Sequence, residues 1–326
     1  MITRVMTVAT ISAVLLLAPL AGCDKGARKE QESGDRSLVV GFAQVGAESG
    51  WRTANTKSIK DEAAKRGITL KFSDAQQKQE NQITAVRAFI AQNVDVIILA
   101  PIVETGFEPV LRDAKRAGIP VVLSDRRANV SDESLYATFV GSDFVEEGRR
   151  AARFLVEKTG GKATIAELQG TPGSAPANDR KKGFEEVIKG HPGMKIALSQ
   201  TGDFTRARGK EVMEAFLNSP EGKTITALYA HNDDMAIGAI QAIEAAGMKP
   251  GTDIVIVSVD GVKAAFEAMA EGKLNCTVEC NPLIGPQLFD LVEKVAAGEP
   301  VPKRVDVAES VYTQEQAKEA LPNRQY

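Results

Sequence analysis

Val94-Asp95-Val96-Ile97-Ile98-Leu99 is apolar at nearly every position, and the chain runs from it through a helical stretch that closes on Arg116-Ala117-Gly118-Ile119. A strand with one face in water alternates polar and apolar residues. This one does not, so both of its faces are covered. The closing device recurs at Lys65-Arg66-Gly67-Ile68 and Ala245-Ala246-Gly247-Met248. Each places glycine where a helix ends in the left-handed conformation before a new strand begins. Strand, helix, glycine, strand is the pattern of right-handed βαβ units on a parallel sheet.

Working outward, strand-like runs fall at 38–43, 68–72, 94–100, 119–124, 135–140, 163–168, 195–200, 224–229, 254–259 and 274–279. Helical patterns lie between them; Ile83, Val86, Phe89 and Ile90 share one helix face. Ten strands are too many for one comfortable doubly wound sheet, and a break near Gly141-Ser142-Asp143 divides them evenly. The expectation is α/β, two doubly wound parallel-sheet lobes whose strand carboxyl ends face a shared cleft.

The first residues read as a processing signal. Arg4 precedes an apolar run from Val5 to Leu20, which ends in Leu20-Ala21-Gly22-Cys23. Its length and Pro19 disfavour a permanent membrane span. Small residues before a cysteine resemble the bacterial lipobox, with Cys23 as the lipidation site; an ordinary signal peptide that happens to hold a cysteine is the alternative. Residues 1–22 are then a lipoprotein signal peptide and 23–36 a polar, flexible tether. Asp24, by resemblance to enterobacterial sorting rules, favours retention at the inner membrane.

The whole chain is 43% apolar and 25% charged, with a net charge of -3 that argues against a nucleic-acid partner. With two histidines and three cysteines, and no second histidine or cysteine at ligand spacing from His231, no metal and no cofactor is expected. Cys276 and Cys280 stand about 13 Å apart along an expected strand, too far for a disulfide, which predicts two free, buried thiols. There is no G-x-G-x-x-G, no G-x-S-x-G and no complete P-loop. Nothing here demands catalysis.

Polar residues cluster where strands end. Gln44 to Arg52 follows the first strand, Asp125-Arg126 the fourth, His231-Asn232-Asp233-Asp234 the eighth and Asp260-Gly261 the ninth. Asn178-Asp179-Arg180 opens the helix after the sixth. Carboxylates accept from sugar hydroxyls, guanidinium and amide groups donate to their oxygens, and an aromatic plane packs on the C–H face of the ring. Trp51, the single tryptophan, and Phe204 are open to that last role. Each cluster has a plainer reading. Asp125-Arg126 could be a surface ion pair worth at most about 1 kcal/mol, Asn232 a helix cap, His231 a structural residue at a strand end, and His191 a loop residue. Their common location lifts the set above its parts.

Long motifs now carry a resemblance: Gly41-Phe42-Ala43-Gln44-Val45-Gly46 running into Glu48-Ser49-Gly50-Trp51-Arg52, then Asp74 to Gln82, Asp179 to Phe184, Gly202-Asp203-Phe204-Thr205-Arg206, Tyr229 to Met235 and Asp260-Gly261-Val262. The chain resembles the periplasmic sugar-binding proteins related to the ribose-binding protein, most of all the galactofuranose binders, from about Leu38 to Tyr312. The resemblance implies a type I periplasmic binding protein with a three-strand hinge, lobes at 37–141 plus 281–307 and at 142–280 plus 308–326, and closure around a monosaccharide, galactofuranose or a related aldose. It implies that Glu48, Ser49, Gly50, Trp51, Arg52, Asp125, Arg126, Arg180, Asn232 and Asp260 contact the sugar. Phe204 and Glu279 sit where more distant relatives place further contacts. The implied partners are the ABC permease and ATPase complex in the inner membrane, with the binding protein a periplasmic monomer. A sensor presenting sugar to a chemoreceptor or sensor kinase is compatible with this reading, and a secreted sugar-processing enzyme would be set apart by product formation.

Overall fold

The computed structural model describes residues 1–3 and 37–326. Cys23, the tether and nearly all of the expected signal peptide lie outside the described residues.

Ten strands form where the apolar runs stand. In the first half they are β1 Val39–Gln44, β2 Thr69–Asp74, β3 Val96–Leu99, β4 Val121–Ser124 and β5 Thr138–Gly141. In the second half they are β6 Ala163–Gln169, β7 Met194–Thr201, β8 Ala227–Ala230, β9 Val255–Asp260 and β10 Cys276–Glu279. Between them run α1 Gly50–Lys65, α2 Gln79–Ala91, α3 Glu108–Arg116, α4 Phe144–Thr159, α5 Ala175–Ile188, α6 Arg206–Asn218, α7 Asp233–Ala245 and α8 Lys263–Ala270, with α9 Gly285–Ala296 after β10. Two short strands, β11 Arg304–Asp306 and β12 Val311–Thr313, precede α10 Gln314–Ala320. Sequence reading missed both, because three residues, two of them charged in β11, are too few to make an apolar run.

The strands build two six-stranded sheets, ordered β2-β1-β3-β4-β5-β11 and β7-β6-β8-β9-β10-β12. Every ladder is parallel except β10 with β12. The two orders are the same, so β4 and β9 hold equivalent places. Between sheets the chain passes three times: after β5, after β10, and between β11 and β12.

The unbroken apolar strands are explained by packing on both faces. Along β3, Ile97 and Leu99 join one core with Val86, Phe89, Val110 and Leu111 from α2 and α3. Val96 and Ile98 point the other way, to Ile59 of α1 and to Leu288, Phe289 and Val292 of α9. Gly67, Gly118 and Gly247 end their helices at φ of 67°, 72° and 76°, in open space, so backbone conformation and not crowding selects glycine there. The expected strand over 135–140 is shorter than anticipated. The Asp132 side chain accepts from the Ser134 amide and winds Glu133–Leu135 into a 3-10 turn, leaving Thr138–Gly141 as the strand.

Candidate functional site

Local geometry aims the strand-end residues inward. Ser49 caps α1, its hydroxyl accepting from the Arg52 amide at 3.1 Å, which sets the first turn carrying Trp51 and Arg52. Asn232 caps α7 in the same way, accepting from the Met235 amide at 3.0 Å while its amide group donates to the Phe204 carbonyl. Asp125, just past β4, has φ 63°, and Asp260, the last residue of β9, has φ 128°. Equivalent strands thus deliver one carboxylate from each lobe, on backbone that is sparsely populated for residues other than glycine.

Arg180 is placed by a close helix crossing. A β-carbon on Gly148 of α4 would stand 2.1 Å from the Arg180 carbonyl oxygen, and one on Gly183 of α5 would stand 1.9 Å from that of Val145. Only glycine permits this approach, and it lays Arg180 Nε 2.6 Å from Glu147 Oε2. The same guanidinium donates to the His231 carbonyl at 2.6 Å and comes within 3.5 Å of Asp260. In the other lobe Arg52 lies 2.7 Å from Asp125 and 3.1 Å from Glu48, and Arg126 lies 3.5 Å from Glu48 while donating to the Ile102 carbonyl.

These residues share one narrow cavity between the two sheets. Glu48, Ser49, Trp51, Arg52, Asp125, Arg126, Arg180, Asn232 and Asp260 all line it, together with Phe144, Pro176, Phe204 and Cys280. Two of the sequence-selected positions lie elsewhere. Gly50 stands at the rim, where its amide donates to Asp234 at 2.7 Å. Glu279 turns away toward Arg324, Tyr326 and the Ser310 amide. Phe144 and Pro176 escaped sequence reading as lining residues because each looks like ordinary core or a helix start. His231 is structural as expected, buried with its ring 3.1 Å from Glu167.

Burial shapes the electrostatics. It pushes the Asp260 carboxyl well above the usual range, with Arg180 opposing. It brings the Arg126 guanidinium down to about 10, helped by neighbouring Arg52. Burial also opposes ionisation of Glu48, yet Arg52 and Arg126 hold its carboxyl below the ordinary value. Glu48 Oε2 and Arg126 Nε are buried with no hydrogen-bond partner. Native proteins rarely leave such atoms unpaired unless something else is meant to meet them.

Cys276 and Cys280 are free and buried, as their spacing predicts. Where the chain crosses between sheets, Cys280 meets Glu147 and Glu309, whose donor atoms lie within 4.8 Å of one another. Ser142, from the first crossing, donates to Glu309 and touches the Cys280 sulfur at 3.4 Å. Arg180 pairs with Glu147 at 2.6 Å and brings a guanidinium charge beside this group. Elsewhere between the two halves Arg127 pairs with Asp179, Asn178 donates to Glu104 at 2.7 Å, and the Glu104 amide donates to the Gly173 carbonyl at 2.9 Å.

Two like-ordered α/β lobes, three crossings and a polar cavity between the sheets define a two-lobed solute-binding protein. The profile of the periplasmic binding protein domain matches residues 40–300, and the chain belongs to that family. It is a family of solute-binding proteins rather than enzymes. The chain is 53% identical over 290 residues to the galactofuranose-binding protein YtfQ of Escherichia coli, covering 88% of this chain and 91% of that one. Among solved structures it is similar to the binding protein of the arabinose ABC transporter from Shewanella sp. ANA-3, bound to α- and β-L-arabinofuranose. That match has 55% identity and a TM-score of 0.86 over 88% of this chain and 96% of that one. A Mycobacterium smegmatis protein in complex with β-D-fucofuranose matches at 56% identity and TM-score 0.87, over 89% and 96%. Among the described residues no helix is long and apolar enough to cross a membrane.

Proposed function

We propose that the chain captures an aldose in its furanose form, galactofuranose or a close relative, and hands it to an ABC permease and ATPase complex in the inner membrane. The observation that carries this is one cavity lined by aromatic and charged groups in which Glu48 Oε2, an acceptor, and Arg126 Nε, a donor, are both buried without a hydrogen-bond partner. A sugar hydroxyl both donates and accepts, so it can satisfy the two at once. Hydrogen bonds to charged groups contribute roughly 1.5–3 kcal/mol each. A handful therefore reaches the ~8 kcal/mol of micromolar binding, even after the cost of lobe closure. A sugar lacking one of the bonded hydroxyls strands a buried charge and is rejected by a large factor.

The relatives that bind galactofuranose, L-arabinofuranose and β-D-fucofuranose support the five-membered ring. The protein acts as a monomer, held to the membrane through a lipid on Cys23 with residues 23–36 as its tether. Glu48, Ser49, Trp51, Arg52, Asp125, Arg126, Arg180, Asn232 and Asp260 contact the sugar. Isothermal calorimetry with D-galactose, L-arabinose, D-fucose and D-ribose tests this, with the sugar recovered afterwards and checked for chemical change. Saturable heat with unaltered galactose, arabinose or fucose is the expected result. Absence of heat with every sugar, or recovery of a converted product, overturns it.

A further inference from the structure

We propose that Arg324, in the segment after α10, is a positioning residue for the Asp260 carboxylate, a role that rests on the reading of Asp260 as a sugar contact. Asp260 is 3% exposed and has φ 128°, a conformation that a side chain adopts only when its surroundings hold it there. The peptide that follows is gripped from two directions. On one side the Gly261 and Val262 amides donate to Asp233 at 2.7 and 2.8 Å. On the other side the Gly261 carbonyl accepts from Arg324 Nε at 3.1 Å and Nη2 at 2.6 Å.

The Arg324 fork reaches the neighbouring strand as well. Its Nη1 donates to Glu279 at 2.8 Å, and Glu279 pairs in register with Asp260 across β9 and β10. Three rings hold the guanidinium in place, with Phe266 at 4.5 Å, Tyr326 at 4.7 Å and Tyr312 at 5.2 Å. Tyr326 is itself tied down, its carbonyl accepting from the Lys263 amide. Arg324 does not line the cavity. It acts from behind the turn that aims Asp260 into it, and its rigid planar fork holds a carbonyl and a carboxylate in one fixed arrangement, which the rotatable donors of a lysine do not impose.

The test compares the full chain with Arg324→Met, Arg324→Lys, Asp260→Asn and the Arg324→Met, Asp260→Asn double variant. Binding of L-arabinose, D-galactose and D-fucose is measured by calorimetry at a temperature where each variant is fully folded. Arg324→Met should bind about tenfold more weakly, since a ligand group aimed loosely loses most of its contribution, and Arg324→Lys should recover part of the loss. In the Asp260→Asn background the Arg324 substitution should add little, because its effect passes through Asp260. An equal further loss in that background, or undiminished affinity in Arg324→Met, overturns the proposal. If no sugar binds the unaltered protein, the sugar reading fails by itself, and amide hydrogen exchange still decides the clamp. Faster exchange at Gly261 and Val262 in Arg324→Met, with β6 unchanged, supports it; unchanged exchange at both amides overturns it.

Discussion

The Trp51 indole N–H donates to the Cys280 carbonyl at 2.6 Å, joining the first turn of α1 in one lobe to the crossing that follows β10 of the other. Both residues are buried, and Trp51 packs with the core of the second lobe rather than with the sheet that precedes it. A residue expected to be a stacking face for a sugar is thereby also a fastening between the lobes.

That bond makes the lone tryptophan a reporter and a lever. In Trp51→Phe the ring remains but the Cys280 carbonyl loses its donor, and a buried unpaired group costs about 1–3 kcal/mol. Sugar affinity should fall about tenfold by calorimetry, while Trp51 fluorescence in the unaltered protein shifts on titration. Wild-type affinity in Trp51→Phe would show that the bond carries no weight.

Contacts between the lobes should govern release. Arg127 and Asp179 pair between the two lobes but are partly exposed, so their contribution is at most about 1 kcal/mol and weakens with salt. Asp179→Ala is expected to speed sugar dissociation a few-fold in stopped-flow measurements at low salt. The difference from the unaltered protein should close in high salt. A change confined to the association rate would contradict this.

Glu309 should leave a pH signature. Burial first, then the neighbouring Glu147 carboxylate, pushes its carboxyl from 4.5 up to about 9. Between those values the folded protein keeps a proton that the unfolded chain has released, so this group's contribution to stability declines as pH rises through that window and levels off above it. Urea unfolding from about pH 5 to about pH 8 should show the stability of the unaltered protein falling relative to Glu309→Gln. A difference that stays constant with pH counts against a Glu309 that keeps its proton when buried at the crossing.

Much of this was legible from residue order. Runs such as Val121-Val122-Leu123 announce strands covered on both faces, and Gly67, Gly118 and Gly247 mark the helix ends because a left-handed backbone admits few other residues. Asn232 was readable both as cap and as cavity residue for the same reason: local hydrogen bonding requires a short polar side chain there. Glu147 was not readable. It sits in the first turn of α4 beside another glutamate, Glu146, and its meaning arises from Arg180, brought beside it by the Gly148–Gly183 crossing. The strands β11 and β12 escaped because their pairing partners, not their own residues, make them strands.

By itself the sequence determined the α/β alternation, the strands and helix ends, and the polar residues stationed at strand tips, since periodicity, capping and glycine backbone preferences act over a few neighbours. Tertiary structure alone decided that nine of those residues share a cavity, that Gly50 and Glu279 face elsewhere, and that Arg324 reaches the turn after Asp260. Those outcomes depend on how two separately built sheets meet and where the returning chain lies across them. Such long-range packing is set by the summed contacts of residues far apart in sequence, and no local pattern records it.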